Sequence, residues 1–312
     1  MLELVKARSL SKTFENRHQT VHALNDVDLT VCEGECVAIV GESGCGKSTL
    51  ARILVGLEQP THGEASIGGL PVASPRPDVR RRIARLCQMV FQDPYASLNP
   101  RMRIGSIIDE PLRIHHAGDA DRRKRRVFQL LETVHLPPDC VDQYPHQLSG
   151  GQRQRVGIAR ALALSPKVLI ADEPVSALDV SIQAQILNLL NDLKRSLSLT
   201  LILVSHDLQV VRWISNRVVV MYHGRIVESG ATKTIFENPV HPYTRVLLNA
   251  APRIGVPPQI ADNPIPHGDS SFDSGCAFGA RCPLVQSHCK SAVPILDGRV
   301  HRVACFEAPS TH

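Results

Sequence analysis

Glu35-Cys-Val-Ala-Ile-Val-Gly41-Glu42-Ser43-Gly44-Cys45-Gly46-Lys47-Ser48-Thr49 is the stretch from which the fold is read. A short apolar run ends at Val40, a glycine-rich loop follows, and Leu50, Ile53, Leu54 and Leu57 then recur at the spacing of one helix face. Strand, glycine loop and helix form the context in which Gly-x-x-x-x-Gly-Lys-Ser cradles phosphate. The glycines let backbone N–H groups turn toward an anion, and the helix N-terminus adds its positive end. Lys47 is placed to reach the outer phosphates, and the Ser48 hydroxyl to ligate Mg²⁺. A glycine turn that merely caps a helix is the competing reading, and the flanking strand and helix weigh against it.

On the N-terminal side, Leu2-Glu-Leu-Val-Lys-Ala-Arg8 and Val27-Asp-Leu-Thr-Val31 alternate apolar and polar residues, which predicts two antiparallel, half-buried strands. On the C-terminal side, Val168-Leu-Ile-Ala171, Leu201-Ile-Leu-Val204 and Val218-Val-Val-Met221 read as buried parallel strands. Between the first two, residues 180–197 predict an amphipathic helix with Ile182, Ile186, Leu189, Leu190 and Leu193 on one face. Helical patterns over 104–116, 122–135 and 152–164, separated by proline-rich breaks at Pro94, Pro100, Pro137-Pro138 and Pro145, predict a helical subdomain at about 93–165. The expected class is α/β: a nucleotide-binding core with an N-terminal antiparallel β subdomain, a helical subdomain and a cysteine-rich C-terminal tail. After about residue 238 the composition shifts to Pro252, Pro257-Pro258, Pro264 and Pro266, which reads as a linker into that tail.

Two further stretches carry chemistry. Val168-Leu-Ile-Ala-Asp172-Glu173 puts two acids at the end of an apolar strand, where Asp172 is the candidate Mg²⁺-side acid and Glu173 the candidate base for an attacking water. Leu148-Ser149-Gly150-Gly151-Gln152 precedes a helix, so its N–H and hydroxyl donors form a second phosphate-binding edge. With one phosphate loop per chain, that edge most economically serves a nucleotide held by a neighbouring subunit.

Composition bounds the rest. The chain has 312 residues, 43% of them apolar, and a net charge of +5, which excludes wholesale disorder and is too weak to argue for nucleic acid. No run approaches the roughly 18 apolar residues of a membrane span, and the N-terminus lacks the apolar core of a signal peptide, so a chain that stays inside the cell, in a reducing compartment, is expected. Of nine cysteines, Cys276, Cys282, Cys289 and Cys305 cluster near the C-terminus. Four thiolates suit a tetrahedral Zn²⁺ site or a [4Fe-4S] cluster, and the lack of a C-x₂-C pair and the proline after Cys282 favour iron–sulfur, with free buried thiols the alternative. Cys45, in a positive loop, is a candidate reactive thiol. Arg122-Arg-Lys-Arg-Arg126 reads as a solvated face or a surface near anionic lipid.

Taken together and in order, these motifs resemble those of ATP-binding cassette (ABC) proteins, with Leu148-Ser-Gly-Gly-Gln152 similar to the cassette signature. The resemblance covers roughly residues 2–240. It implies that Gln92, in Phe-Gln-Asp-Pro94, contacts Mg²⁺ or the attacking water, and that Ser176-Ala-Leu-Asp179 is the loop facing a partner cassette. It further implies that His206 contacts the γ-phosphate and that Phe14 stacks on adenine. Phe91-Gln-Asp-Pro-Tyr-Ala-Ser-Leu-Asn-Pro100, His241-Pro-Tyr-Thr244 and the cysteine tail resemble the oligopeptide and dipeptide importer subfamily and its nickel and glutathione relatives. Ala280 and Phe306 stand where proline and histidine are common in that subfamily.

The resemblance implies a cassette domain over 1–240 and a subfamily C-terminal region over 241–312. It implies an ATPase that uses Mg²⁺ and works as a head-to-tail dimer, often with a different but related ATPase chain. Two transmembrane permease subunits and an extracytoplasmic solute-binding protein would complete the importer, and the chain would lie on the cytoplasmic face of a bacterial inner membrane. Peptide is the expected cargo. Nickel, glutathione or another small solute, or a soluble cassette acting outside transport, are the rivals.

Overall fold

The computed structural model describes residues 2–16, 19–250 and 275–308. Its centre is a seven-stranded sheet built from β3 (Cys36–Val40), β6 (Cys87–Val90), β7 (Val168–Asp172), β8 (Thr200–Val204), β9 (Arg217–Tyr222), β10 (Arg225–Ala231) and β11 (Arg302–Val303). The strand order is β11-β10-β9-β3-β8-β7-β6. β3 pairs in parallel with both β8 and β9, and β7 joins β8 to β6 in parallel. All five residues of β3 are buried, with Val37 and Ile39 facing one core cluster and Ala38 and Val40 another, which is why this strand reads as a continuous apolar run.

The predicted opening strands are β1 (Glu3–Asn16) and β2 (Gln19–Cys32), antiparallel and joined by β4 (His62–Ile67) and β5 (Leu70–Pro71) in a second sheet of order β2-β1-β4-β5. The inward alternate residues Val5, Ala7, Leu10, Val27, Leu29 and Val31 pack over α1 (Lys47–Leu54), so the phosphate loop is wedged between the two sheets. α2 (Pro77–Leu86) leads into β6. α1 ends at Leu54, earlier than expected. Leu57 lies beyond it and is 58% exposed, because Gly56, at φ +78°, turns the chain away before a further turn can form.

α3 (Pro94–Ser97), α4 (Ile104–Ile114), α5 (Ala120–Thr133) and α6 (Gly150–Leu162) make up the helical subdomain, packed through Ile107, Leu130, Leu131, Val156 and Ile158. α7 (Val180–Ser196) covers the same side of the main sheet, using the predicted apolar stripe. The Arg122–Arg126 run is partly satisfied internally: Arg123 donates to Asp109, and Arg126 to the Leu162 carbonyl and Ser165.

α8 (Leu208–Ile214), α9 (Thr232–Glu237) and α10 (Pro242–Ala250) follow. The composition shift near 238 therefore does not begin a linker: His241, Tyr243 and Thr244 are buried, and α10 packs on the core. The proline positions Pro252, Pro257, Pro258, Pro264 and Pro266 lie outside the described residues. The tail re-enters the core by adding β11 to the edge of the main sheet and by burying Phe278, 1% exposed, against Tyr222 and Tyr243. Burial of one such ring contributes about 2 kcal/mol.

Candidate functional site

The parallel strands end level with one another: Ile39 faces Val204, Asp172 faces Val204, and Val90 faces Ala171. Their C-terminal edge is where an open α/β sheet presents ligand-binding loops. The loop after β3 needs its glycines for space as well as for backbone angle. A Cβ on Gly41 would lie 2.2 Å from the Met221 carbonyl oxygen, and one on Gly46, at φ +102°, 2.2 Å from that of Ala23. Lys47, almost wholly buried, donates from Nζ to the carbonyls of Gly41 and Glu42, each at 2.9 Å, which poises the ammonium inside the loop.

Ser48 Oγ donates to Asp172 Oδ1 at 3.0 Å, joining the loop after β3 to the end of β7. A hydroxyl and a carboxylate held this close fit two ligands of one Mg²⁺ ion. Burial raises the Asp172 carboxyl above its ordinary value, while the Ser48 bond opposes that shift. A desolvated carboxylate of this kind gains from a cation beside it.

Glu173 takes a positive φ of 45°, which is uncommon for a non-glycine residue, and its N–H donates to the Val204 carbonyl at 2.9 Å. The turn brings its carboxylate between two other candidates. Gln92 Nε2 donates to Glu173 Oε2 at 2.9 Å, and His206 Nδ1 lies 3.2 Å from Oε1. Residues separated by 81 positions in one case and read from three different loops thus converge on a single carboxylate. Gln92, expected beside Mg²⁺ or the water, here spends its amide on Glu173.

The remaining expected residues do not join that cluster. Phe14 is 39% exposed with Lys12 Nζ 4.7 Å from its ring centroid, so its face is presented at the surface and not consumed by the core. Ser149 caps α6 in a reciprocal capping box with Gln152, and among the described residues its side-chain bonds stay within that cap. Gly151 packs so tightly on α7 that a Cβ would meet Ile182 Cγ2 at 2.5 Å. Asp179 precedes α7, exposed and without a side-chain cap. Cys45 is not the reactive thiol its charged surroundings suggest: it is buried, and desolvation pushes its pKa up despite Lys47 at 3.8 Å.

In the tail, Cys276, Cys282, Cys289 and Cys305 are unpaired and line one small enclosed cavity with Phe278 and His241. The Leu284 N–H donates to Cys282 Sγ at 3.4 Å, a bond of the kind that supports a sulfur ligand. Burial nevertheless raises the Cys276, Cys282 and Cys305 thiols. Among the described residues, no group of three or more His, Cys, Asp or Glu side chains is drawn together closely enough to hold a metal ion. The donor chemistry therefore suits a thiophilic metal, while the closed ligand set expected from the sequence is not assembled.

Contacts that sequence reasoning missed lie on Glu42. Arg281, between two of the tail cysteines, donates to both of its carboxylate oxygens at 3.0 Å, and the Glu42 N–H donates to the Tyr243 hydroxyl at 2.8 Å. Nothing in local pattern couples positions 239 apart. Also unforeseen is an open groove of about 700 Å³ between the helical subdomain and the sheet edge, lined by Arg52, Leu57, Gln92, Glu110, Arg160 and Asp172. Among the described residues, no helix is long and apolar enough to cross a membrane.

Comparison with known proteins agrees with this geometry. Residues 24–176 match the ABC transporter family, and residues 227–289 match the oligopeptide/dipeptide transporter C-terminal region. The chain is 46% identical over 320 residues to a di/tripeptide transport ATP-binding protein, DppF, of Pseudomonas aeruginosa, covering 99% of this chain and 98% of the relative. It is 47% identical over 298 residues to the oligopeptide transport ATP-binding protein OppF of Escherichia coli, covering 93% and 89%. Among solved structures, the ATP-binding cassette MJ0796, a dimer bound to ADP and Pi after hydrolysis, superposes with a TM-score of 0.67 at 32% identity, covering 73% of this chain and 99% of that one.

Proposed function

The chain belongs to the ATP-binding subunits of ABC transporters, and from that premise we propose that its ATPase activity drives import of di- and oligopeptides across a bacterial inner membrane. The observation that carries the catalytic reading is the convergence of Gln92 and His206 on the Glu173 carboxylate, one residue after Asp172. The cargo reading is supported by end-to-end likeness to relatives named for di/tripeptide and oligopeptide transport.

In this reading Gly41, Glu42, Ser43, Gly44, Cys45, Gly46, Lys47, Ser48 and Thr49 wrap the phosphates with backbone N–H groups, and Lys47 leaves the loop carbonyls to meet the outer phosphates. Ser48 and Asp172, with Gln92 once its amide leaves Glu173, would hold Mg²⁺, which would supply positive charge beside the phosphates. Glu173 takes the proton of the attacking water, and His206 orients it and faces the γ-phosphate. Phe14 stacks on adenine. Ser149, Gly150, Gly151 and Gln152, with Asp179, lie free of this cluster because they serve the nucleotide of a second, related ATPase subunit placed head to tail. Closing of that dimer around ATP and its reopening after hydrolysis become movement of attached subunits.

The groove beside Gln92 supports docking of two transmembrane permease subunits, since a movement there reaches the catalytic carboxylate directly. An extracytoplasmic solute-binding protein supplies cargo, and the chain sits peripherally on the cytoplasmic face. We assign residues 1–240 to the cassette and 241–312 to the subfamily's C-terminal region, whose four cysteines, if drawn closer together than they stand here, would hold a [4Fe-4S] cluster or Zn²⁺ as a structural staple. Metal analysis of anaerobically purified protein that finds neither iron nor zinc in stoichiometric amount removes that staple. The transport reading is tested by uptake of a labelled dipeptide or oligopeptide in cells carrying wild-type or Lys47→Ala protein. Loss of uptake in the variant is expected; equal uptake in both, with nickel or glutathione import lost in the variant, overturns the cargo.

A further inference from the structure

Glu42 is the second residue of the phosphate loop, and it is held from three directions. Its carboxylate receives both Nη atoms of Arg281 at 3.0 Å, its N–H donates to Tyr243 Oη at 2.8 Å, and its carbonyl accepts from Lys47 Nζ at 2.9 Å. Arg281 also donates to the Tyr222 hydroxyl at 3.3 Å, and its guanidinium lies 5.7 Å from the Tyr222 and Phe278 ring centroids. The Arg281 side chain is 13% exposed and its Nε is buried without an acceptor among the described residues, so the fork onto Glu42 accounts for most of its polar contact.

The residue comes from the tail and not from the nucleotide-binding core. It ends a single 3₁₀ turn, Gly279–Arg281, immediately before Cys282. That turn is docked by Phe278 in the Tyr222–Tyr243 aromatic cluster. β11 adds to β10, and His301 Nε2 lies 2.7 Å from the fully buried Glu228.

We propose that Arg281 is a positioning residue for the nucleotide loop: carried on the cysteine-bearing tail, it clamps Glu42, so that docking of the tail sets how tightly the loop binds a nucleotide polyphosphate. Two physical effects point the same way. A clamped loop meets the phosphates with its N–H groups already aligned and loses less conformational freedom on binding. A carboxylate inside a polyanion site repels the ligand unless a cation neutralises it, and Arg281 neutralises Glu42 at bidentate geometry. Because Glu42 is 43% exposed, solvent and salt reduce the second effect. Linkage requires the reverse effect as well: bound nucleotide holds the tail down by the same factor. The inference rests on the ATPase reading and adds to it a place where the state of the tail is felt at the nucleotide.

The test is Mg·ADP binding by the full chain, with steady-state ATPase beside it. In Arg281→Ala, the Kd for ADP and the KM for ATP rise about fivefold, at the low end of measured couplings between sites, while kcat stays within twofold. Arg281→Lys, which keeps the charge and loses the fork, falls between. Adding Glu42→Gln to Arg281→Ala recovers the part of the loss that comes from the unneutralised carboxylate and leaves the part that comes from the unclamped loop. Hydrogen exchange of backbone amides in 275–290 slows on adding ADP to the wild-type chain and does not in Arg281→Ala. ADP affinity of Arg281→Ala within twofold of wild type overturns the proposal, as does an ADP-induced slowing of exchange over 275–290 that is the same in Arg281→Ala as in wild type. Failure of the wild-type chain itself to bind ADP would instead sink the ATPase reading, for which Lys47→Ala is the control.

Discussion

Acid should loosen the buttress behind the phosphate loop through one histidine. His241 is 1% exposed, and its Nδ1 accepts the Tyr243 N–H at 3.1 Å, which fixes that nitrogen as unprotonated. Burial lowers its pKa from 6.5 to about 4. A histidine kept neutral by the fold binds fewer protons folded than unfolded between those two values. Its contribution is therefore fully present above pH 6.5 and is lost as pH falls toward 4. The whole displacement is worth about 3 kcal/mol, and roughly 2 kcal/mol of it has gone by pH 5. His241→Asn offers a non-titrating side chain whose oxygen can accept the same N–H two residues on. Urea unfolding, followed by the single tryptophan Trp213, would be run on both proteins at pH 7.5 and pH 5. Glu228, which accepts the His241 backbone N–H at 3.0 Å and lies against His301, is common to both proteins, so its contribution cancels in the difference. Wild type should lose about 2 kcal/mol more than the variant over this range. Equal losses would refute the argument that burial holds His241 neutral.

Other consequences are more local. Glu173→Gln should lower ATP turnover at least ~100-fold while Mg·ATP still binds, as measured by single-turnover kinetics and equilibrium dialysis. Ser48→Ala should raise the Mg²⁺ concentration needed for half-maximal ATPase activity, a change read by titrating the metal at fixed ATP. Gly151→Ala forces a methyl into Ile182 Cγ2 at 2.5 Å and should destabilise the chain by about 1–3 kcal/mol in the same urea assay. Leu54→Ala should cost about 2–5 kcal/mol, whereas Leu57→Ser, on the exposed side of the helix end, should change stability by less than about 0.5 kcal/mol.

Much of this molecule was legible in one dimension because its decisive signals are local. The loop from Gly41 to Thr49, the acids Asp172 and Glu173 after an apolar run, and the cap Ser149 with Gln152 three residues on are each specified by neighbouring residues. The stop of α1 was also written there, in Gly56, but the apolar Leu57 masked it, since periodicity does not know when a turn has ended. Cys45 misled for the opposite reason. Its neighbours in sequence are charged and flexible, while its environment in space is a packed core that disfavours the thiolate.

What the amino-acid sequence determined by itself was the α/β class, the phosphate loop and the identity of the chemical groups, since strand period, helix period and glycine spacing act within a few residues. What only the tertiary structure decided was which of those groups meet. The parallel register of β3, β6, β7 and β8 brings Gln92 and His206 to opposite oxygens of Glu173. Addition of β11 at the far edge of the same sheet, with Phe278 seated in the aromatic cluster, places Arg281 on Glu42. Such meetings follow from strand pairing and core packing across the whole chain, where each contact depends on many residues distant in sequence.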